Sequence, residues 1–175
     1  MSDYVVVTEP GTVRLERLLP GPIERVWAYL TESEKRGQWF ASGPMDLRPG
    51  GKGELVFKHS ELSHEKLAPE PYRQYEGLKA EIEIVRCEPP RLLRYTGGQG
   101  KEGSEVTFEL TPQGDQVLLV ITERRLPDRA AIVGNAGGWH AHADILVDRL
   151  NGREPRGFWT LHTKVSAEYE KRFAT

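Results

Sequence analysis

The chain has 175 residues, with 24 Lys and Arg against 26 Asp and Glu for a formal charge of -2, and a single cysteine, Cys87. That length is about one domain, able to bury a core without metal or disulfide staples. The charge excludes the positive field that a phosphate backbone needs, so nucleic acid is not a partner, and a lone cysteine excludes an internal disulfide. Residues 1–10 carry neither the basic region nor the apolar run of a leader, and no segment approaches the ~18 apolar residues of a membrane span, so a cytoplasmic protein is expected.

Residues 12–19 alternate Val13, Leu15 and Leu19 against Arg14, Glu16 and Leu18, which predicts a first strand. Gly21-Pro22 then starts a helix carrying Ile23, Val26, Trp27 and Leu30 at helical spacing. Thr31 and Glu34 have capping-box spacing, predicting a second short helix over about 32–37. Pro44 and the turn residues 49–53 predict a hairpin into a strand at 54–58. Residues 59–75 are polar, with two prolines and no sustained period, and predict a long loop: a surface insertion or a lid.

Four strands follow at about 79–87, 91–96, 104–111 and 116–122, separated by turns at 88–90, Gly97-Gly98-Gln99-Gly100 and 112–115. Short turns between strands predict an antiparallel meander, and the last strand, apolar on both sides, is expected inside the sheet. Beyond Asp128 the chain turns helical, with Gly134 and Gly137-Gly138 expected to break it before a main helix over about 138–150. On that helix Trp139, Ala143, Leu146 and Leu150 form one stripe, while His140, Asp144 and Asp148 lie along another side. Asn151-Gly152 ends it, and a last helix is predicted near 159–173, within a C-terminal extension of about 157–173, with Leu161, Val165, Tyr169 and Phe173 as its stripe. The expected organisation is one domain over 1–175 with a core of about 10–152.

The order of these elements, together with Pro22 and Val26-Trp27, Trp39, residues 47–51 (Leu-Arg-Pro-Gly-Gly), Gly77, residues 88–92, the strand 106–110 and Gly138-Trp139 with Leu146 and Leu150, resembles the helix-grip fold of the START/SRPBCC superfamily. The local motifs are similar to its branch named after the activator of the Hsp90 ATPase. The resemblance covers about residues 10–152. It implies an α+β fold in which a curved antiparallel sheet of about six strands wraps a long C-terminal helix, with two short helices after the first strand and, here, an extra C-terminal helix. It also implies an apolar cavity, which in the wider superfamily holds lipids, polyketides or other hydrophobic molecules; some members are cyclases or hydrolases. The namesake carries an additional chaperone-binding domain that this chain is too short to contain, and the family has no shared catalytic motif to transfer.

The residues expected on the cavity wall are Trp39, Phe57, Ile82, Tyr95, Phe108, Trp139, His142 and Leu146, with Arg94 either a rim charge for an acidic headgroup or an exposed strand arginine. His140 and Asp144, spaced i, i+4, read as a solvated face or as a base and its orienter. His142 flanks the apolar stripe and reads as a boundary histidine satisfied by a carbonyl or as a polar group at the cavity. His140 and His142 are two residues apart and form a poor metal pair, His59 and His64 lie in or beside the loop, and Cys87 reads as a structural thiol, so no metal, cofactor or catalytic residue is assigned. The reading is a binding protein for a hydrophobic or amphipathic small molecule. The alternatives are a cavity enzyme using a histidine as acid or base, and a chaperone-linked or regulatory interaction module working through the last helix. Either a monomer or a homodimer fits.

Overall fold

Seven strands form one antiparallel sheet in the computed structural model, which describes residues 3–97 and 103–174. In chain order they are β1 (Val6–Glu9), β2 (Thr12–Pro20), β3 (Lys52–Phe57), β4 (Leu78–Glu88), β5 (Leu92–Gly97), β6 (Glu105–Gln113) and β7 (Gln116–Arg124). The spatial order is β1-β2-β7-β6-β5-β4-β3. The doubly apolar β7 lies inside, between β2 and β6, as its pattern requires. The expected count of about six strands is short by β1, whose four residues are all exposed and so carry no alternation to read. The turn residues Gly98, Gln99 and Gly100 lie outside the described residues.

Between β2 and β3 come α1 (Ile23–Thr31) and α2 (Ser33–Arg36). The capping box is not made: the Thr31 hydroxyl donates back to the Trp27 carbonyl at 2.9 Å, and Glu32 stands at the start of α2 without a side-chain cap. Arg36, 2% exposed, replaces it as the organiser of this turn, donating to the carbonyls of Leu30, Thr31, Ala41 and Gly43. The predicted hairpin before β3 is reduced to two isolated bridges, Ser42 with Val56 and Met45 with Gly53, which cover that sheet edge.

The long helix α3 runs unbroken from Arg129 to Leu150, capped by Asp128 accepting from the Ala131 N–H at 2.8 Å. The expected break at Gly134 and Gly137-Gly138 does not occur, because its neighbours provide the packing that glycine's weak helix propensity does not. Here the α+β helix-grip arrangement is complete: α3 crosses one face of the sheet, with Trp139 edge-on to Phe108 of β6 at 5.6 Å. The last helix, α4 (Phe158–Arg172), packs on α3 within the same chain. Its buried residues are Phe158, Trp159, His162, Val165 and Tyr169; Leu161 and Phe173 are only partly buried, so the predicted stripe is one residue off at its start, where His162 is buried in place of Leu161, and runs past the last buried residue, Tyr169, at its end.

The loop before β4 contains two short 3-10 turns, His59–Glu61 and Glu70–Tyr75. Its middle caps α4 from outside: Phe158 N–H donates to Ser63 Oγ at 3.0 Å and Thr160 N–H to Glu65 Oε1 at 2.9 Å. Those donors have no partner within their own helix, so residues 95 positions apart in sequence satisfy each other. This clasp places the loop over one end of α3.

Candidate functional site

A cavity of about 250 Å³ lies where α3, α4, the capped loop and the sheet meet. The sheet contributes Phe57, Tyr95, Val106 and Glu123; α3 contributes Gly134, Gly138, Trp139 and His142; the loop contributes His59, Tyr72 and Tyr75; and α4 contributes Phe158, Trp159 and His162. Two of the helix-interrupting glycines explain the space. A Cβ at Gly134 or Gly138 would meet nothing within 4 Å, so both leave volume open on one face of α3. Gly137 does a different job on another face, where a Cβ would stand 2.8 Å from Ser166 Oγ of α4. One set of glycines makes room, and the other lets two helices approach.

Three imidazoles meet in this wall. His142 and His59 have ring centroids 5.6 Å apart, and His59 and His162 both flank Trp159, at 5.1 and 5.3 Å. His142 Nδ1 lies 2.8 Å from the Trp39 carbonyl, which can only accept, so Nδ1 carries the proton and Nε2 is left as an acceptor. Burial, reinforced by His59, pushes the His142 pKa down to about 3 against the opposing Trp39 bond. Burial likewise lowers His162 to about 4, and lowers His59 against the pull of Glu76. All three rings are therefore neutral near pH 7. His59 Nδ1, His162 Nδ1 and the Trp159 indole N–H are buried without a hydrogen-bond partner among the described residues. Such groups are uncommon, since each forfeits about 1–3 kcal/mol of solvation. Glu123 is held by Trp139 Nε1–H at 2.8 Å and the Ser104 hydroxyl at 2.5 Å, and burial together with Glu123 pushes the Tyr95 hydroxyl pKa up.

The other side of α3 is satisfied throughout. Val5 N–H donates to the Tyr169 oxygen at 2.7 Å, so the Tyr169 hydroxyl is free to donate to His140 Nδ1, also at 2.7 Å. That leaves the His140 proton on Nε2, 3.3 Å from Asp144 Oδ2, while Arg17 donates to Asp144 Oδ1 at 2.8 Å. Burial would raise the Asp144 pKa, but the bonds from His140 and Arg17 bring it below the usual carboxylate range. One turn on, Asp148 accepts from Arg153 and three times from Arg156; burial opposes this, yet its pKa falls to about 2. The solvated face expected for His140, Asp144 and Asp148 is instead covered, by Tyr4 and Tyr169 at His140, by Arg17 of β2 at Asp144 and by Arg153 and Arg156 at Asp148, leaving His140 and Asp148 buried.

With this geometry, the comparison with known proteins is decisive at the level of family. Residues 20–151 match the model of the activator of Hsp90 ATPase homolog 1-like proteins. The chain belongs to that family. An NMR structure of a Bordetella parapertussis protein of the same fold is 45% identical, covers 97% of this chain and 90% of its own, and superposes with a TM-score of 0.83. The crystal structure of CalU16 from Micromonospora echinospora is 22% identical over 97% and 94% of the two chains, with a TM-score of 0.70. A conserved Enterococcus faecalis protein of unknown function is 18% identical over 94% and 86%, at 0.69. These two share the START/SRPBCC fold with this member of the Hsp90 ATPase activator homolog family. No curated protein matches in sequence.

Of the residues expected on the wall of this family member, Phe57, Tyr95, Trp139 and His142 line the cavity, and Trp39, Ile82, Phe108 and Leu146 do not. The Trp39 side chain is fully buried, its indole N–H donating to the Tyr29 carbonyl at 2.8 Å. Phe108 sits behind the wall between Trp39, Tyr95 and Trp139. Ile82 stands opposite Gly53 of the edge strand and fills the space that glycine leaves. Leu146, one turn beyond His142, is wholly buried in the core. Arg94 donates to Thr107 Oγ1 at 3.0 Å and is not in the wall. The reading missed His59, Tyr72, Phe158, Trp159 and His162. Trp159 and His162, three apart at the start of an amphipathic helix, were the available signal. His64 is exposed, and burial pushes the Cys87 thiol up. No group of three or more His, Cys, Asp or Glu side chains among the described residues could hold a metal, and no described helix is long and apolar enough to cross a membrane.

Proposed function

We propose that the chain binds an apolar small molecule in the cavity between sheet, α3 and α4, with one polar end of the ligand turned to the imidazole and indole groups. The observation that carries this is the set of three buried nitrogens on His59, Trp159 and His162 that have no partner among the described residues, in a wall otherwise made mostly of rings and aliphatic groups. A pocket lined by rings with a few convergent polar groups is the usual form of a small-molecule site. Family membership supports the reading, since proteins of this fold generally hold hydrophobic ligands. Binding is favoured over turnover, because a histidine held at about pKa 3 is neutral near pH 7 and too weak a base for efficient proton abstraction. The same reading makes the chain one domain and requires no homodimer, since α4 of the same chain closes the cavity. It also uses the buried face of α4 internally rather than for a chaperone or regulatory partner.

Native mass spectrometry of the purified protein, followed by denaturation and identification of what is released, tests the proposal. A stoichiometric apolar compound is expected. For protein that comes through empty, 2-naphthol is titrated while the four tryptophan indole N–H signals are followed by NMR. The Trp159 signal should move most, because its N–H has no partner to lose. An empty protein with four unmoved signals would overturn the reading.

A further inference from the structure

Four residues that line the cavity, Ala130, Gly134, Gly138 and His142, follow one another at intervals of four along α3. Residues so spaced form a single row on a helix surface, and each step of four advances about 6 Å along the axis. The first three carry a methyl group or no side chain, so the row is a furrow that runs about 18 Å from Ala130 to the His142 imidazole. Burial deepens along it. Ala130 and Gly134 are exposed, Gly138 is half-buried and His142 is buried. Tyr75 of the second 3-10 turn is the other exposed residue among the described lining residues and belongs to the same rim. The cavity therefore opens towards the N-terminal end of α3 and ends at His142.

The buried end holds the polar groups. His59, Trp159 and His162 are 9%, 5% and 8% exposed, and Nδ1 of both imidazoles and the indole N–H have no hydrogen-bond partner among the described residues. They gather beside His142. The rings of His59 and Phe158 lie 5.6 and 4.8 Å from that of His142, and Phe158 in turn meets Trp159 at 4.9 Å and His162 at 5.9 Å. An indole donor and two imidazoles that donate or accept according to tautomer suit a hydroxyl or carbonyl oxygen.

We infer that the ligand lies lengthwise along α3, its hydroxyl or carbonyl end among His59, Trp159 and His162 and its apolar tail running over Gly138 and Gly134 to the rim. This orientation rests on the binding role proposed above. It specifies the ligand class as an elongated amphipathic molecule with a small oxygen-bearing head, and it makes positions 138 and 134 a gauge of tail length. The volume supports a tail that reaches the rim: about 250 Å³ falls just under the roughly 300–1,000 Å³ usual for ligand pockets, so the space encloses the head and only the first part of such a tail.

Phenols with a para-alkyl chain test this, because the head stays constant while the tail grows. The full chain is titrated with 4-ethylphenol and 4-octylphenol, and affinity is read by NMR from the Trp159 indole signal, which both should move. Each buried methylene is worth about fourfold, so octylphenol, with the end of its tail at the rim, should bind at least about a hundredfold more tightly than ethylphenol. The side chain added by Gly134→Leu stands across the row two steps from His142, beyond the reach of the short ligand. Octylphenol should lose at least about tenfold there, the worth of two methylenes, while ethylphenol stays within about threefold. Gly138→Leu, one step from His142, should lose both, and thermal unfolding checks that each variant is folded. Octylphenol no tighter than ethylphenol on the wild type, equal loss of both phenols in Gly134→Leu, or octylphenol retained by Gly138→Leu would overturn the lengthwise orientation. A wild type that binds neither phenol would instead remove the binding role itself.

Discussion

His140 and His142 are two residues apart on α3, both buried, and they face opposite fates. His140 has a partner at each nitrogen, the Tyr169 hydroxyl at 2.7 Å and Asp144 at 3.3 Å. His142 has the Trp39 carbonyl at one nitrogen, with aromatic rings and an open cavity around the rest of the ring. Two residues along a helix turn a side chain through about 200°, so each histidine takes the chemistry of a different neighbourhood. On one side Asp144 of α3 itself, Arg17 of β2 and Tyr169 of α4 bring a carboxylate, a guanidinium and a phenol, and both ring nitrogens are satisfied. On the other, the sheet, the loop and α4 bring rings around two glycines of α3, and three nitrogens have no partner among the described residues. A complete network holds helices together, whereas an incomplete one is suited to receive a ligand.

The largest effect is expected from breaking the complete side. Arg17 is 9% exposed and gives its Nε–H to Asp144, so Asp144→Ala leaves a buried guanidinium and His140 without their common acceptor. Removing one partner of a buried pair typically costs 3–5 kcal/mol, and we expect about 3 kcal/mol here because the site lies near the surface. Urea unfolding should show it as a lower midpoint at unchanged slope. Affinity for 2-naphthol should stay within about threefold, because Asp144 does not reach the cavity wall. Loss of both together would mean that the two sides of α3 are not independent.

The open side should dominate the pH dependence of stability. The folded pKa of His142, about 3, lies below its unfolded value of roughly 6.5, so between those limits the unfolded chain binds one more proton than the native one. Stability is therefore full above pH 6.5 and falls as the pH drops towards 3, by about 1.4 kcal/mol per unit for this one group. Between pH 6.5 and 5 that is about 2 kcal/mol. His142→Gln should remove this share of the loss and leave the part due to His59 and His162, which burial also lowers. Asp148 acts in a separate, more acidic window, its contribution lost as pH falls from about 4 towards its folded value of about 2. Urea midpoints of wild type and variant at pH 7 and pH 5 measure the difference; equal slopes would show that His142 accepts its proton in the folded state.

The contrast also explains how much could be read in the sequence. Strands β2 to β7 and helices α1, α3 and α4 announce themselves by period, because each has one buried and one open face or is apolar on both. β1 has four exposed residues and no period at all. The cavity wall was half legible for the same reason. Trp39, Ile82, Phe108 and Leu146 carry the apolar signature of Phe57 and Tyr95, and nothing in composition separates a ring that fills the core from one beside an empty volume. His59 and Tyr72 come from a loop without a period, and Trp159 and His162 from the extra helix beyond the span on which the family resemblance rested; Ser63 and Glu65 bring the two together by capping α4. Gly134 and Gly138 were visible, but as breaks. A glycine that interrupts a helix and one that hollows its face are the same letter, and the surroundings decide between them.

That distinction gives the smallest and cleanest change. At Gly138 a Cβ meets nothing within 4 Å, and the residue lines the cavity, so Gly138→Leu should grow into the empty volume without moving its neighbours. Replacing a helical glycine with leucine is favourable by roughly 0.8 kcal/mol in propensity alone, and some apolar burial adds to it, so a gain of about 1 kcal/mol is expected. For a domain of this size that raises Tm by about 3 °C. The same substitution should abolish 2-naphthol binding, because the added side chain occupies the space the ligand needs. Gly137→Leu, one residue earlier, has the same propensity gain but meets Ser166 Oγ at 2.8 Å and must push α4 away, so it should destabilise by about 1–3 kcal/mol. Opposite signs at adjacent glycines, read by thermal unfolding, would separate the face of α3 that is hollow from the face that is packed. A Gly138→Leu protein that is stabilised yet still binds naphthol would place the ligand elsewhere on the molecule, and one that is destabilised would mean that the volume beside α3 is not open to side chains.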